Sequence, residues 1–398
     1  MKYAVVILDG AAGYPLDCFG GKTSLEQAAT PNLDKLAAAG MVGLSHNVPE
    51  GMEPSSNTAC TSIMGYDPAL YPIGRGAIEG ASCGIELEPG QVALRLNLCN
   101  VDEAGCMHSY SCGDITTESG NAIIEELQAL NDDTFTLHKS VSFRGILVVS
   151  GHPELMDTTY NAAHNFTDQP IADKWPSGPG SEILNDYMRR CNEVLATSKE
   201  NARREEAGLL RATHVWAFWP GTRPEGMEAF SKIYGGTCAS MLSPVDLLNG
   251  LAKMTDMKQY HFHGVTDGPD NDYRAMGVGA LQMLDESDLA FIHVENPDAE
   301  GHNGDAAAKV AAIEAIDREI VSRLIDWKES HEEGLRIMAL PDHPTPVVKK
   351  THSSEPVPFI MEGPGIECSA GARLTENEAK LSNIEYAHGF ELMKTLLA

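Results

Sequence analysis

Positive charge is what this chain of 398 residues has least of. It carries 29 Lys and Arg against 57 Asp and Glu, a formal charge of −28. Nucleic acid and anionic membrane surfaces both reward clustered cations, so this balance disfavours them as partners. A small anionic substrate is compatible only where metal ions or gathered arginines overcome the overall field. No apolar run approaches the roughly 20 residues that span a bilayer. The apolar stretch 4–8 ends at Asp9 and is too short for the core of a signal peptide. The nine cysteines form no CxxC pair and no regular spacing, which suits free or buried thiols in a reducing cytoplasm. The tightest set, Cys99, Cys106, His108 and Cys112, fits no common zinc finger and reads as scattered thiols. Internal repeats and low-complexity tracts are absent too.

What is present is ordinary globular composition, 42% hydrophobic and 22% charged. At roughly 150 residues per domain the length suggests two or three domains. Residues 2–8, 213–219, 288–295 and 335–340 read as strands. Residues 30–39 read as a helix with Pro31 at its first turn, and 244–254 as another with Ser243 as N-cap. Residues 306–327 read as one long helix, with Val310, Ile313, Ile316, Ile320, Leu324 and Trp327 in an apolar stripe. Alternating strands and helices predict an α/β domain on a mostly parallel sheet. The middle differs: short strands at 92–98 and 145–149, one helix at 118–130, and many turn residues. The Gly- and Pro-rich stretch 174–181 reads as a return linker. The expected architecture is therefore an α/β domain from residues 1–66 and 176–398, interrupted by a smaller α+β domain over 67–175.

Three acids follow three of the predicted strands: Asp9, Asp298 and Asp342. In open α/β sheets, ligands bind at the carboxyl ends of strands, so parallel neighbours would bring these carboxylates to one edge. Histidines accompany them. His302 lies four residues past Asp298, His343 is adjacent to Asp342, and His352 is ten further on. Carboxylates mixed with imidazoles suit Mn, Zn or Mg. Six such residues exceed the needs of one tetrahedral ion and point to a two-metal cluster. Polar loop ends also collect acids and histidines, but six of them at strand ends is more than that explains.

A nucleophile is suggested by the segment 53–59, where Pro54, Ser55 and Ser56 precede a run that can open a helix. A serine oxygen there lies near unsatisfied amides and the positive end of the helix dipole, which favours an alkoxide and a phosphate. Metal coordination would lower the hydroxyl pKa further. The plainer alternative is a helix N-cap.

Several long motifs occur together: MKYAVVILDGAAGYPL, TPNLDKLA, VPEGMEPSSNTA, SIMGYDP, GRGAIEGASCGIEL, NPDAEGHNGD, IEAIDREI, PDHPTPV and THSSEPVPF. In this order and spacing they resemble the archaeal-type cofactor-independent (2,3-bisphosphoglycerate-independent) phosphoglycerate mutases of the alkaline phosphatase superfamily. The opening and the PEGMEP segment are most similar to a bacterial subgroup proposed to act as homoserine kinases. The resemblance covers nearly the whole chain. It implies a metal-binding phosphatase-like domain with an inserted substrate-capping domain, meeting over the active site.

Carried over by position, Ser56 matches the nucleophile that becomes phosphoserine. Asp298, His302 and His352 match the ligands of one divalent ion, and Asp9, Asp342 and His343, joined by Ser56, those of the other. Mn²⁺ is the first expectation, with Mg²⁺, Zn²⁺ or Co²⁺ as alternatives. Arg75, Arg95, Arg144 and His164 match substrate-binding positions, where a bidentate guanidinium suits phosphate and carboxylate. The implied reaction interconverts 3- and 2-phosphoglycerate. The implied partner is a small phosphorylated substrate, with no nucleic acid or membrane, and a homo-oligomer is compatible with it.

Some positions depart from the family pattern. Asn57 replaces an aspartate beside the nucleophile, and Asn165 another after His164. Ser109-Tyr110-Ser111 and Gly113-Asp114 replace an aspartate-tyrosine-serine run and a glycine-histidine, and Pro344 replaces a serine. None is a proposed metal ligand. They leave two rival readings: phosphoryl transfer on another small alcohol such as homoserine, or phosphatase action, with the same metal site; and a metal-binding protein descended from an enzyme.

Overall fold

A computed structural model describes residues 1–369 and 371–398. The chain divides into two units, 1–72 with 226–398, and 73–225. Along the chain, β1 (Lys2–Leu8) and β2 (Met41–Ser45) belong to the first unit. The strands β3 (Gln91–Val101), β4 (Met107–Ser109), β5 (Phe135–Lys139), β6 (Arg144–Ser150) and β7 (His214–Gly221) belong to the second. The strands β8 (Ala239–Leu242), β9 (Lys258–Tyr260), β10 (Leu289–Val294), β11 (Leu335–Leu340), β12 (Val357–Glu362) and β13 (Glu385–Tyr386) return to the first.

The first unit is built on an eight-stranded sheet in the order β13-β2-β12-β11-β1-β10-β8-β9. Pairing is parallel from β11 through β1, β10 and β8 to β9, and antiparallel only on either side of β12. β10 and β11 are buried along their whole lengths, and β1 from Ala4 onward. This is why they read as continuous apolar runs rather than as an alternation: a parallel sheet is covered on both faces. On one face Leu33, Met276, Ile313 and Leu324 come from four helices and share a buried cluster with Val6, Leu8, Ile292 and Ile337 of the strands.

The helix expected over 306–327 is divided. Ala306–Ile316 is α-helical, Asp317–Val321 forms a π-turn, and Ser322–Ser330 resumes the helix. Asp317, which sits in the wider turn, accepts hydrogen bonds from the backbone amides of Leu33 at 2.7 Å and Asn32 at 3.3 Å. It thereby caps the helix Pro31–Ala39, whose own N-cap Thr30 makes no side-chain cap bond. The helix 244–254 begins two residues later than expected, at Asp246, with Val245 as N-cap.

The second unit holds a five-stranded antiparallel sheet, in which β3 pairs with β4, β6 and β7 and β6 with β5. Leu94 and Leu96 of β3 pack with Ile124, Leu184, Met188 and Val215 in its core. The boundary expected at 175/176 is wrong by about fifty residues, because the unit runs to residue 225. The helix Ser181–Ala196 covers this core, and β7 pairs with β3, Asn97 opposite Trp216. Residues 174–181 are not a linker. Trp175 packs against Trp216, and Thr159 bridges Ser177 inside the same unit. Their Gly and Pro mark a turn-rich loop, a pattern shared with linkers.

Candidate functional site

The strands β11, β1 and β10 are parallel neighbours, so the residues after their carboxyl ends share one edge of the first unit. Asp9 directly follows β1, Asp342 and His343 follow β11, and Asp298 lies in the helix Asn296–Asn303 that follows β10. Gly10 makes the close approach possible. Its φ is +59°, and a Cβ there would lie 2.5 Å from both Asp298 Oδ1 and Thr345 Oγ1, so no other residue fits that turn without strain.

The donor atoms converge. Those of Asp9, Asp342 and His343 lie within 4.8 Å of one another, as do those of Asp298, His343 and His352. His343 Nε2 stands 3.3 Å from Asp342 Oδ2 and 3.7 Å from Asp9 Oδ1. Asp298 faces His302 Nε2 at 3.2 Å and His352 Nε2 at 3.5 Å. His302 is the most exposed member, while Asp9, Asp342 and His343 are fully buried. All six residues read from strand ends and following loops are thus in one place. Ser55 is the N-cap of the helix Ser56–Ile63, and Ser56 is its first residue. The Ser56 hydroxyl does not cap the helix. It lies 3.3 Å from His343 Nε2.

Crowded acids without counterions are electrostatically costly. Burial, then the charges of Asp342, Glu295 and Asp298, push the Asp9 carboxyl well above its ordinary range. Burial also raises Glu295, to about 7. Burial would raise Asp298 as well, but hydrogen bonds from His302 and His352 hold it far below the usual carboxylate range. Burial lowers His343, and Asp298 raises His302. Asp9 Oδ1 is buried with no hydrogen-bond partner. An orphaned carboxylate oxygen amid carboxylates and imidazoles is what a divalent cation would satisfy, so this donor set fits the expected metals.

Sequence reasoning missed the residues that hold the loops. Lys309 is fully buried and donates from Nζ to the carbonyls of Gly10 (2.6 Å), Thr345 (2.7 Å) and Ala12 (3.2 Å). Burial lowers its pKa to about 8. Thr345 donates its hydroxyl to Asp298 Oδ1 and its amide to the Gly10 carbonyl. A lysine one turn before Ile313, in an otherwise apolar AAAKVAAI run, was the available signal.

The second unit gathers the expected arginines. Glu79 Oε1 accepts from Arg75 Nε at 2.9 Å, and Arg95 Nε stands 2.9 Å from Glu79 Oε2. The Arg75 and Arg95 guanidinium carbons lie 4.1 and 5.0 Å from the Trp219 ring centre, and the His164 ring lies 5.4 Å from it. Burial, with the Arg144 and Arg75 charges nearby, lowers Arg95 to about 10 despite Glu79. Arg144 is opposite Asn97 on β3, its guanidinium carbon 5.2 Å from the Phe143 ring centre. Trp219 carried no sequence signal. It takes a left-handed backbone, φ +54°, near a register shift in the β3–β7 pairing. Gly76 lets its helix close on this sheet, where a Cβ would meet the carbonyl oxygens of Ala93 and Trp219 at 2.3 and 2.5 Å. The departing segment 109–114 lies beside the same cluster, with Tyr110 6.1 Å from the His164 ring.

Comparisons with known proteins agree with this picture. Residues 37–201 match the family model described as 2,3-bisphosphoglycerate-independent phosphoglycerate mutase. A protein of that name, numbered 2, from Methanothermobacter thermautotrophicus is 40% identical, over 92% of this chain and 90% of its own. One from Methanothrix thermoacetophila is 37% identical over the full length of both. Among solved structures, a Pyrococcus horikoshii protein superposes with a TM-score of 0.82 at 25% identity, over 100% of this chain and 96% of its own. A cofactor-independent phosphoglycerate mutase from Thermoplasma acidophilum shares the fold, with a TM-score of 0.69 at 22% identity over 100% and 99%. The chain belongs to the family of 2,3-bisphosphoglycerate-independent phosphoglycerate mutases.

Proposed function

We propose that the protein interconverts 3-phosphoglycerate and 2-phosphoglycerate through a phosphoserine at Ser56, without bisphosphoglycerate. The observation that carries this is the position of the Ser56 hydroxyl. It opens a helix and lies 3.3 Å from His343 Nε2, beside the converging carboxylates and imidazoles.

Asp298, His302 and His352 would hold one divalent ion, and Asp9, Asp342, His343 and Ser56 the other. Bound there, such ions lower the pKa of the serine hydroxyl and neutralise the oxygens of the transferring phosphoryl group. Ser56 Oγ forms the new bond to phosphorus as the bond from phosphorus to the glycerate 3-oxygen breaks. The positive end of the Ser56 helix favours the phosphate. Arg75, Arg95 and Arg144 bind the substrate's anionic groups, with His164 beside them. Glycerate then takes the phosphoryl group back on its 2-oxygen, so no phosphate is lost provided water is kept from the phosphoserine. Mn²⁺ is the metal proposed and the cytoplasm the location. A role in glycolysis and gluconeogenesis follows from the reaction.

The test is to incubate the purified protein and Mn²⁺ with 3-phosphoglycerate and follow 2-phosphoglycerate. Absence of product across metals and pH eliminates this function. Asn57 and Pro344, which depart from the family pattern close to Ser56 and His343, favour one second reading: transfer to another small alcohol, such as homoserine. A panel of phosphate donors and acceptors separates the two, because only the mutase needs a single phosphorylated substrate.

A further inference from the structure

We propose that His293 is a positioning residue that makes Asp9 a one-oxygen metal ligand, by occupying Asp9 Oδ2 and leaving Oδ1 free. His293 lies on β10, opposite Ile7 of β1, and is fully buried. Its Nε2 is 2.7 Å from Asp9 Oδ2, and its Nδ1 is 3.0 Å from the Ser243 hydroxyl at the end of β8. Glu295 Oε2 stands farther off, 3.9 Å from Nε2.

One arrangement of protons satisfies every group in this chain. Ser243 Oγ already accepts from the Val245 amide at 3.1 Å, so its own proton is available for His293 Nδ1. Nδ1 is then an acceptor, the ring proton sits on Nε2, and Nε2 donates to Asp9 Oδ2. Asp9 Oδ1 is left buried without a protein partner, 3.7 Å from His343 Nε2. Asp342 is arranged in the same way by other means. The amides of Gly10 and His343 donate to its Oδ1 at 3.0 and 2.8 Å, while Oδ2 faces His343 Nε2 at 3.3 Å and accepts the weak Cys60 thiol donor at 3.7 Å. Each carboxylate thus has one oxygen held by short N–H donors and one turned toward His343, without a partner in Asp9 and with only the thiol in Asp342. Groups that orient metal ligands in this way typically contribute about 10–100-fold to metal affinity.

The inference rests on the proposed metal site but not on the proposed substrate. Co²⁺ binding, followed by visible absorption, reads it without turnover. In the wild type two binding steps are expected. His293→Leu should weaken one of them by about 10–100-fold and leave the other unchanged. His293→Gln, whose amide keeps an N–H donor near the Nε2 position, should recover most of the loss. Wild-type steps in His293→Leu, or equal weakening of both, would overturn the proposal. So would failure of His293→Gln to restore binding. A measurement on the unaltered protein guards against a misfolded variant: ¹⁵N shifts of the labelled His293 ring should report the Nε2-protonated tautomer in the metal-free protein. The Nδ1-protonated tautomer would overturn the proposal. A wild type that binds two ions but leaves 3-phosphoglycerate unchanged would defeat the mutase function and not this role.

Discussion

His302 Nε2 and His352 Nε2 face each other at 2.9 Å, with Asp298 reaching both. Two imidazoles cannot both direct a proton along that line, and their Nδ1 atoms are engaged elsewhere, at the carbonyls of Lys350 and Pro54. These contacts hold both rings with Nε2 toward Asp298; the Nε2 protons that bond Asp298 here are the ones a divalent ion would displace, leaving Nε2 as the ligand atom.

The first prediction concerns that pair. Replacing His352 with Ala should cut Mn²⁺ binding from about two ions per chain to about one. Metal analysis after equilibrium dialysis measures it, and two ions retained by the variant would remove His352 from the ligand set.

Lys309 should matter to the fold of the ligand loops. Lys309→Met keeps the unbranched stem of the side chain but leaves the carbonyls of Gly10, Ala12 and Thr345 without their shared donor. A loss of about 3 kcal/mol in the metal-free protein is expected, the range for breaking a buried charged network. Urea unfolding gives the value, and an unchanged midpoint would mean that Lys309 holds nothing together.

In the second unit, Trp219→Ala removes the surface on which Arg75 and Arg95 rest. The KM for 3-phosphoglycerate should rise about tenfold, with kcat changing less than about threefold, the pattern of lost substrate binding. An unchanged KM would separate Trp219 from the substrate.

Acid sensitivity of the same unit should depend on Glu200. Hydrogen bonds from Arg203, at 2.6 and 2.8 Å, and from Ser119 lower its pKa from 4.5 to about 2. With the folded value below the unfolded one, its stabilisation is present above pH 4.5 and is lost as the pH falls from 4.5 towards 2. Discounted for solvent screening, the amount is about 1 kcal/mol. Glu200→Gln should therefore lose less stability than the wild type between pH 7 and pH 3 in urea unfolding. Equal losses would contradict the assignment.

The gathering of carboxylates and histidines was legible in the sequence because these residues follow strands whose apolar runs are unmistakable. Asp9, Asp298 and Asp342 needed only the inference that β1, β10 and β11 are parallel neighbours. The groups behind them were not legible. His293 reads as one polar residue in the strand DLAFIHVE, and Lys309 as one charge on an amphipathic helix. Their roles depend on contacts nearly 300 positions away in sequence. Trp219 needs a left-handed backbone that no local pattern announces. The misjudged boundary near 175 has a similar origin: β7 resembles any other strand, and only its pairing with β3 assigns it to the second unit.

Quenching the enzyme during turnover of 3-phosphoglycerate with Mn²⁺, then mapping phosphate by peptide mass spectrometry, tests the central claim most directly. Phosphate on Ser56, absent from Ser56→Ala together with all turnover, is the predicted result. Turnover that persists in Ser56→Ala, or phosphate trapped on another side chain, would contradict the account.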